Sequence, residues 1–195
     1  MPLKTKVIVR NITNLSEARY CAGMGVDILS FPIGNDARGI SIDQFQEIGE
    51  WVVGPQFALE FLEPVDEQIL NVVTQAGKIE YIETTLDKLA ILSNNGYKGN
   101  IILSLKPEEL AQVQQHNLNL VTTIIADVPS GDLSSWESLN EKVPVLVDMS
   151  KGNHELQNIL SSSLSGIALQ GNEELASGNK TYDHLADILE ALEAD

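Results

Sequence analysis

The chain has 195 residues and a formal net charge of −16, which argues against nucleic acid or an anionic membrane as partner, because every phosphate approached would meet a repulsive field. A single cysteine, Cys21, leaves no internal disulfide and no cysteine-based zinc site, as expected of a reducing compartment. No run of about 18 apolar residues occurs, and the start, MPLKTKV, lacks the apolar core of a signal peptide, so a cytoplasmic protein is expected.

In chain order, eight short runs rich in Val, Ile and Leu read as strands: Lys6 to Ile12, Asp27 to Ile33, Gln56 to Leu62, Ile79 to Thr84, Asn100 to Leu105, Leu120 to Val128, Val143 to Met149 and Ser165 to Gln170. None alternates cleanly with polar residues, the pattern of strands buried on both faces of a parallel sheet. Stretches of helical spacing separate them. After the first run, Asn14 or Thr13 can cap a helix with Glu17 in its first turn and Gly25 as its stop. The last stretch, Tyr182 to Asp195, places Leu185, Ile188, Leu189 and Leu192 on one face. Eight βα units predict an α/β protein, a single (β/α)8 TIM barrel over residues 1–195, at about 24 residues per unit. Chemistry is then expected at the C-terminal strand ends.

The stretch from Ile12-Thr13-Asn14 through Glu17-Ala18-Arg19 to Ala22-Gly23-Met24-Gly25-Val26-Asp27 resembles phosphoribosylanthranilate isomerase, the tryptophan-pathway barrel enzyme. In that family a Lys-Ile-Cys-Gly strand leads into an Ile-Thr-Asn turn and a helix rich in Asp-Ala-Arg. Further landmarks follow in order. Arg38, in Ala37-Arg38-Gly39-Ile40-Ser41, sits where a family arginine binds the anthranilate carboxylate. Asp127, ending Ile124-Ile125-Ala126-Asp127, sits where the family has its general acid. The stretch from Gly166 to Gln170, then Gly171-Asn172-Glu173-Glu174 and Gly178-Asn179-Lys180, follows the family's eighth strand and the turn after it. The resemblance implies a substrate-binding set of Arg38, Asp148, Gln170, Gly171 and Asn172, with no cofactor and no metal. It also implies a small anionic metabolite as candidate partner, and a monomer or homodimer.

The family reaction is an Amadori rearrangement that moves a proton from C2′, with a cysteine as base and an aspartate as acid. Counted back from Ile12-Thr13-Asn14, the place of the cysteine is taken by Arg10. A guanidinium stays protonated in proteins and cannot accept that proton. Cys21 lies within the first helix, where a buried cysteine is packing. The phosphate-binding glycines are also reduced: the seventh strand reads Leu146-Val147-Asp148-Met149-Ser150, the loop after the sixth Val128-Pro129-Ser130-Gly131-Asp132, and the fourth strand ends Ile82-Glu83-Thr84-Thr85. A carboxylate at Asp148 would repel a phosphate. The three histidines, His116, His154 and His184, fall in helical stretches.

If each strand presents alternate residues to the interior, the ends offer Arg10, Ser30, Glu60, Glu83, Lys106, Asp127, Asp148 and Gln170. Burying so many unpaired charges would cost several kcal/mol per ion, so they must pair or bind something. Arg10 can pair with Asp127 or Asp148; Arg10, Arg38 and Lys106 can contact an anion; or Glu60, Glu83 and Asp148 can hold Mg²⁺ or Ca²⁺. The expected protein is an isomerase-like barrel with the Amadori activity lost or strongly reduced. The alternatives are an active isomerase with its base relocated to Glu60 or Glu83, and a non-catalytic binding or scaffold barrel.

Overall fold

The structure, a computed structural model, describes residues 2–35, 38–63, 70, 78–113, 118–129, 132–151, 154–171 and 183–194. Eight parallel strands close into a barrel in sequence order: β1 (Lys6–Arg10), β2 (Ile28–Ile33), β3 (Gln56–Phe61), β4 (Tyr81–Thr85), β5 (Asn100–Leu105), β6 (Val121–Ala126), β7 (Val145–Asp148) and β8 (Gly166–Gln170). The described helices are α1 (Leu15–Gly23), α2 (Ile42–Trp51), α3 (Leu86–Asn94), α4 (Leu110–Val113), α5 (Ser134–Asn140), α6 (Leu156–Leu160) and α7 (Asp183–Ala191). Each predicted strand is present, trimmed by up to two residues at most ends. Among the described residues no helix is long and apolar enough to cross a membrane.

Local chemistry sets the helix starts. Asn14 caps α1 by accepting from the Glu17 N–H at 2.9 Å, and Gly25, at φ 81°, lets the chain turn toward β2. Ser41 and Gln44 form a reciprocal capping box on α2. Outside the barrel, the strands' outward residues pack on the helices. There Phe31 meets Phe45 edge to face at 5.1 Å between centroids and Phe57 at 5.6 Å, the geometry that ring quadrupoles favour.

Inside, the register and the stagger of a closed eight-stranded barrel sort inward side chains into layers of four from alternate strands. Ile8, Ala58, Ile102 and Leu146 fill one layer, and Ser30, Glu83, Ile125 and Ala168 the next toward the C-terminal mouth. Above them lie Arg10, Glu60, Ser104 and Asp148, and at the rim Pro32, Thr85, Asp127 and Gln170. The lower interior is largely apolar and sealed: Ile8, Ile28, Ile102, Leu146 and Ala168 have no exposed surface, and Thr123 of β6, 1% exposed, keeps its hydroxyl there without a hydrogen-bond partner. Charge therefore starts abruptly at Glu83 and Arg10.

Barrel closure leaves no space at Gly166. A methyl there would sit 2.0 Å from the Lys6 carbonyl oxygen of β1, far inside contact distance. Gly166→Ala must push β8 from β1 and is expected to lower stability by about 1–3 kcal/mol in urea unfolding; an unchanged midpoint would show that the β1–β8 seam yields freely.

Candidate functional site at the barrel mouth

Arg10 ends β1 and its side chain turns into the barrel, where it is only 12% exposed. A guanidinium so poorly hydrated needs anions, and three converge on it. Nη2 lies 2.6 Å from Glu83 Oε1 of β4 and 3.9 Å from Glu60 Oε2 of β3, while Nη1 lies 3.2 Å from Asp148 Oδ2 of β7. Burial alone would lower the arginine's pKa, but the Glu83, Glu60 and Asp148 charges outweigh it and raise the value. Its Nε is buried without a hydrogen-bond partner.

The carboxylates are held to different degrees. Glu83, 1% exposed at its side chain, also accepts from Ser30 Oγ at 2.6 Å and Ser104 Oγ at 3.0 Å. Asp148 gives Oδ2 to Arg10, while its Oδ1 accepts from the Ser150 hydroxyl at 2.6 Å and the Ser150 N–H at 3.0 Å. Among the described residues Glu60 has only the long contact with Arg10. Burial, then the neighbouring Glu83 charge, raises its pKa; Arg10, Lys88 and Arg38 pull the other way without cancelling this.

Of the two acids offered to Arg10 from sequence, Asp148 is a partner and Asp127 is not. Asp127 follows β6 directly with its backbone N–H on Leu105 O, but the barrel stagger lifts it to the rim, a layer above Arg10. Glu83, in the layer below, takes its place. Lys106 is exposed above β5, and its backbone N–H donates to Glu109; Ser104, two residues earlier on the same face, reaches the cluster instead. The three acids proposed for a divalent cation are gathered on the guanidinium, and among the described residues no group of three or more His, Cys, Asp or Glu could hold a metal ion.

The remaining candidates surround this centre. Gln170 accepts a hydrogen bond from Asn11 Nδ2, and Asn11 is the one described non-glycine residue at positive φ, 58°. Gly171 donates its N–H to Arg10 O at 2.7 Å, and a Cβ there would lie 2.6 Å from the buried Glu17 carboxylate. Arg38 is exposed in the loop after β2. Asn172, the Gly178-Asn179-Lys180 stretch and His116 lie outside the described residues. Cys21 has no exposed surface, and burial, with the Glu17 charge, pushes its thiol up to about 12, so it is packing. His154 is not helical: α6 starts after Glu155, and the ring Nε2 lies 2.7 Å from Val128 O.

Sequence reasoning missed Ser104, Ser150 and Asn11. The alternation that gave Lys106 passes through Ser104 one step earlier, so that serine was recoverable. Ser150 acts by folding back two residues to Asp148, and Asn11 through its backbone conformation; neither leaves a periodic signal.

Among solved structures, the likeness is to phosphoribosylanthranilate isomerases. The enzyme of Thermus thermophilus superposes with a TM-score of 0.73 at 15% identity, covering 96% of this chain and 98% of that one. That of Thermotoga maritima gives 0.69 at 16%, covering 92% and 94%. A thiamine phosphate pyrophosphorylase from Pyrococcus furiosus also superposes, at 0.60 and 14% identity over 98% of both chains. At such identities the likeness establishes the (β/α)8 fold, which hosts many chemistries. No family model matches the sequence, and no curated protein matches it.

Two outcomes follow from the cluster. Arg10→Ala leaves Glu83 buried without its counter-charge and is expected to cost roughly 3–5 kcal/mol, with much of the loss recovered in Arg10→Ala/Glu83→Gln, as a double-mutant cycle in urea would show. Glu60 gives a pH signature. Because its folded pKa is raised, its favourable contribution is complete below the ordinary glutamate value, near about 4.3, and is lost as pH rises through the folded value. Glu60→Gln, neutral throughout, should thus melt above the wild type at pH 7 to 8, and the gap should close below about pH 4. A less stable Glu60→Gln at neutral pH would mean that attraction to Arg10, Lys88 and Arg38 dominates over burial and Glu83.

Proposed function

We propose that this protein is a barrel of the phosphoribosylanthranilate isomerase type in which the Amadori rearrangement is lost or strongly reduced. One observation carries this reading: the position where the resemblance puts the base is Arg10, whose guanidinium is tied to Glu83 at 2.6 Å and Asp148 at 3.2 Å. A cation that cannot release its proton cannot take one from C2′. The inherited features are the barrel itself, Asp127 at the rim in the place of the general acid, and Arg38 beside the mouth. Asp148 turns toward Arg10, so the mouth offers an anionic sugar phosphate an engaged guanidinium and several carboxylates. The same reading makes the protein a cytoplasmic relative of a tryptophan-pathway enzyme, monomeric or homodimeric, with a small anionic metabolite as ancestral ligand.

An active isomerase with a relocated base has one observation in its favour. Glu60, unlike Glu83, makes no hydrogen bond among the described residues and carries a raised pKa, as a general base requires. Assay of the purified protein on phosphoribosylanthranilate, beside an intact isomerase, decides between them. The expected activity is nil or at least about 10²-fold below the control, the ordinary contribution of one acid–base group. Growth of an isomerase-deficient, tryptophan-requiring strain on this gene at ordinary expression would overturn the proposal, and its loss in Glu60→Gln would identify the relocated base.

A further inference from the structure

Beside the Arg10 cluster, where β3 and β4 reach the mouth, a cavity of about 230 Å³ opens between the strand ends and α3. Glu60 lines its barrel side, and the first turn of α3 with Lys88 its helix side. Between them the wall is hydrocarbon, from Phe61, Ile91 and Leu92. We propose that this cavity binds a small amphipathic organic cation, an alkyl- or arylalkylammonium ion, with its ammonium on Glu60 and its hydrocarbon against Phe61, Ile91 and Leu92.

Three independent features converge on that ligand class. The first is the incomplete coordination of Glu60. Among the described residues, Glu83 and Asp148 each accept three hydrogen bonds or ion pairs at 3.2 Å or less, whereas Glu60 has a single contact at 3.9 Å. Its oxygens can accept from an ammonium placed on the cavity side, away from Arg10.

The second is the wall. Phe61 and Leu92 are nearly buried at 8% and 4%, yet Ile91 beside them is 47% exposed. Covering this edge removes apolar area from water, which favours a ligand with a hydrocarbon body over a bare ion. The volume suits about ten non-hydrogen atoms, a little below the usual range of cavities for drug-sized ligands.

The third is the sign of the charge. Among the described residues, Glu60, Glu63, Glu83 and Asp87 line the cavity against Lys88 alone, in a chain of net charge −16. An anion would meet this set unfavourably, so the site discriminates by repulsion as well as by attraction. Burial and Glu83 disfavour ionised Glu60, against Arg10, Lys88 and Arg38; a bound ammonium relieves that disfavour.

The proposal stands apart from the fate of isomerisation, since it concerns neither Arg10 nor the ancestral substrate. The test is a titration of the protein, labelled at its isoleucine δ1 methyls, with phenethylamine and with 3-phenylpropanoate, an anion of like size. Phenethylammonium should shift Ile82 and Ile91 saturably, and phenylpropanoate should not. Glu60→Gln should weaken phenethylammonium by about 10-fold or more, the scale of one charge-assisted contact. Lys88→Met, which removes the competing cation, should tighten it, and provides an arm that does not depend on Glu60→Gln folding. The absence of a saturable shift at these methyls, equal binding of the anion, or affinity unchanged in both variants would each overturn the proposal.

Discussion

A guanidinium inside the mouth of a closed barrel is the constraint on which the rest of this site depends. Water reaches little of Arg10, so its charge is tolerable only among anions. Glu83 on β4 stands across the barrel from β1, and Asp148 on β7 comes from the other side. The ion pairs therefore act as a strut over an interior that is largely apolar. Ser30, Ser104 and Ser150 complete it, taking up lone pairs that two buried carboxylates would leave unmet.

The strut also fixes what the mouth can do. Reactions that need a neutral or anionic group at the end of β1 are closed to it, because Arg10 is held charged by the residues that hold it in place. One guanidinium facing three carboxylates leaves the centre negative, and Glu60 keeps unused acceptor capacity at its edge. Polarity of that kind favours cationic over anionic ligands, the opposite of what a sugar phosphate needs.

The barrel was legible in the sequence because its strands are buried on both faces, so each appears as an uninterrupted apolar run such as Val143 to Met149. Strand ends were less so: Leu120, Val128 and Met149 are apolar but lie just beyond β6 and β7, although Leu120 and Met149 still make one backbone hydrogen bond each to the neighbouring strand, and hydrophobicity does not mark where a strand stops. The cluster was half legible. Alternation along each strand named Arg10, Glu60, Glu83 and Asp148 as inward residues, since that period survives any register. Which acid meets Arg10 depends on the stagger between strands two or three apart, a property of barrel closure that no single run contains. That stagger raises Asp127 to the rim and brings Glu83 beneath the guanidinium.

The central claim, that Arg10 is locked among carboxylates in the free protein, is open to direct observation by arginine-selective NMR. The account predicts separate, slowly exchanging Nη–H signals for Arg10, restricted rotation about Cζ–Nε, and scalar couplings across hydrogen bonds to the Glu83 and Asp148 carboxyl carbons. One averaged Nη signal, exchanging as fast as that of a solvated arginine, would contradict it.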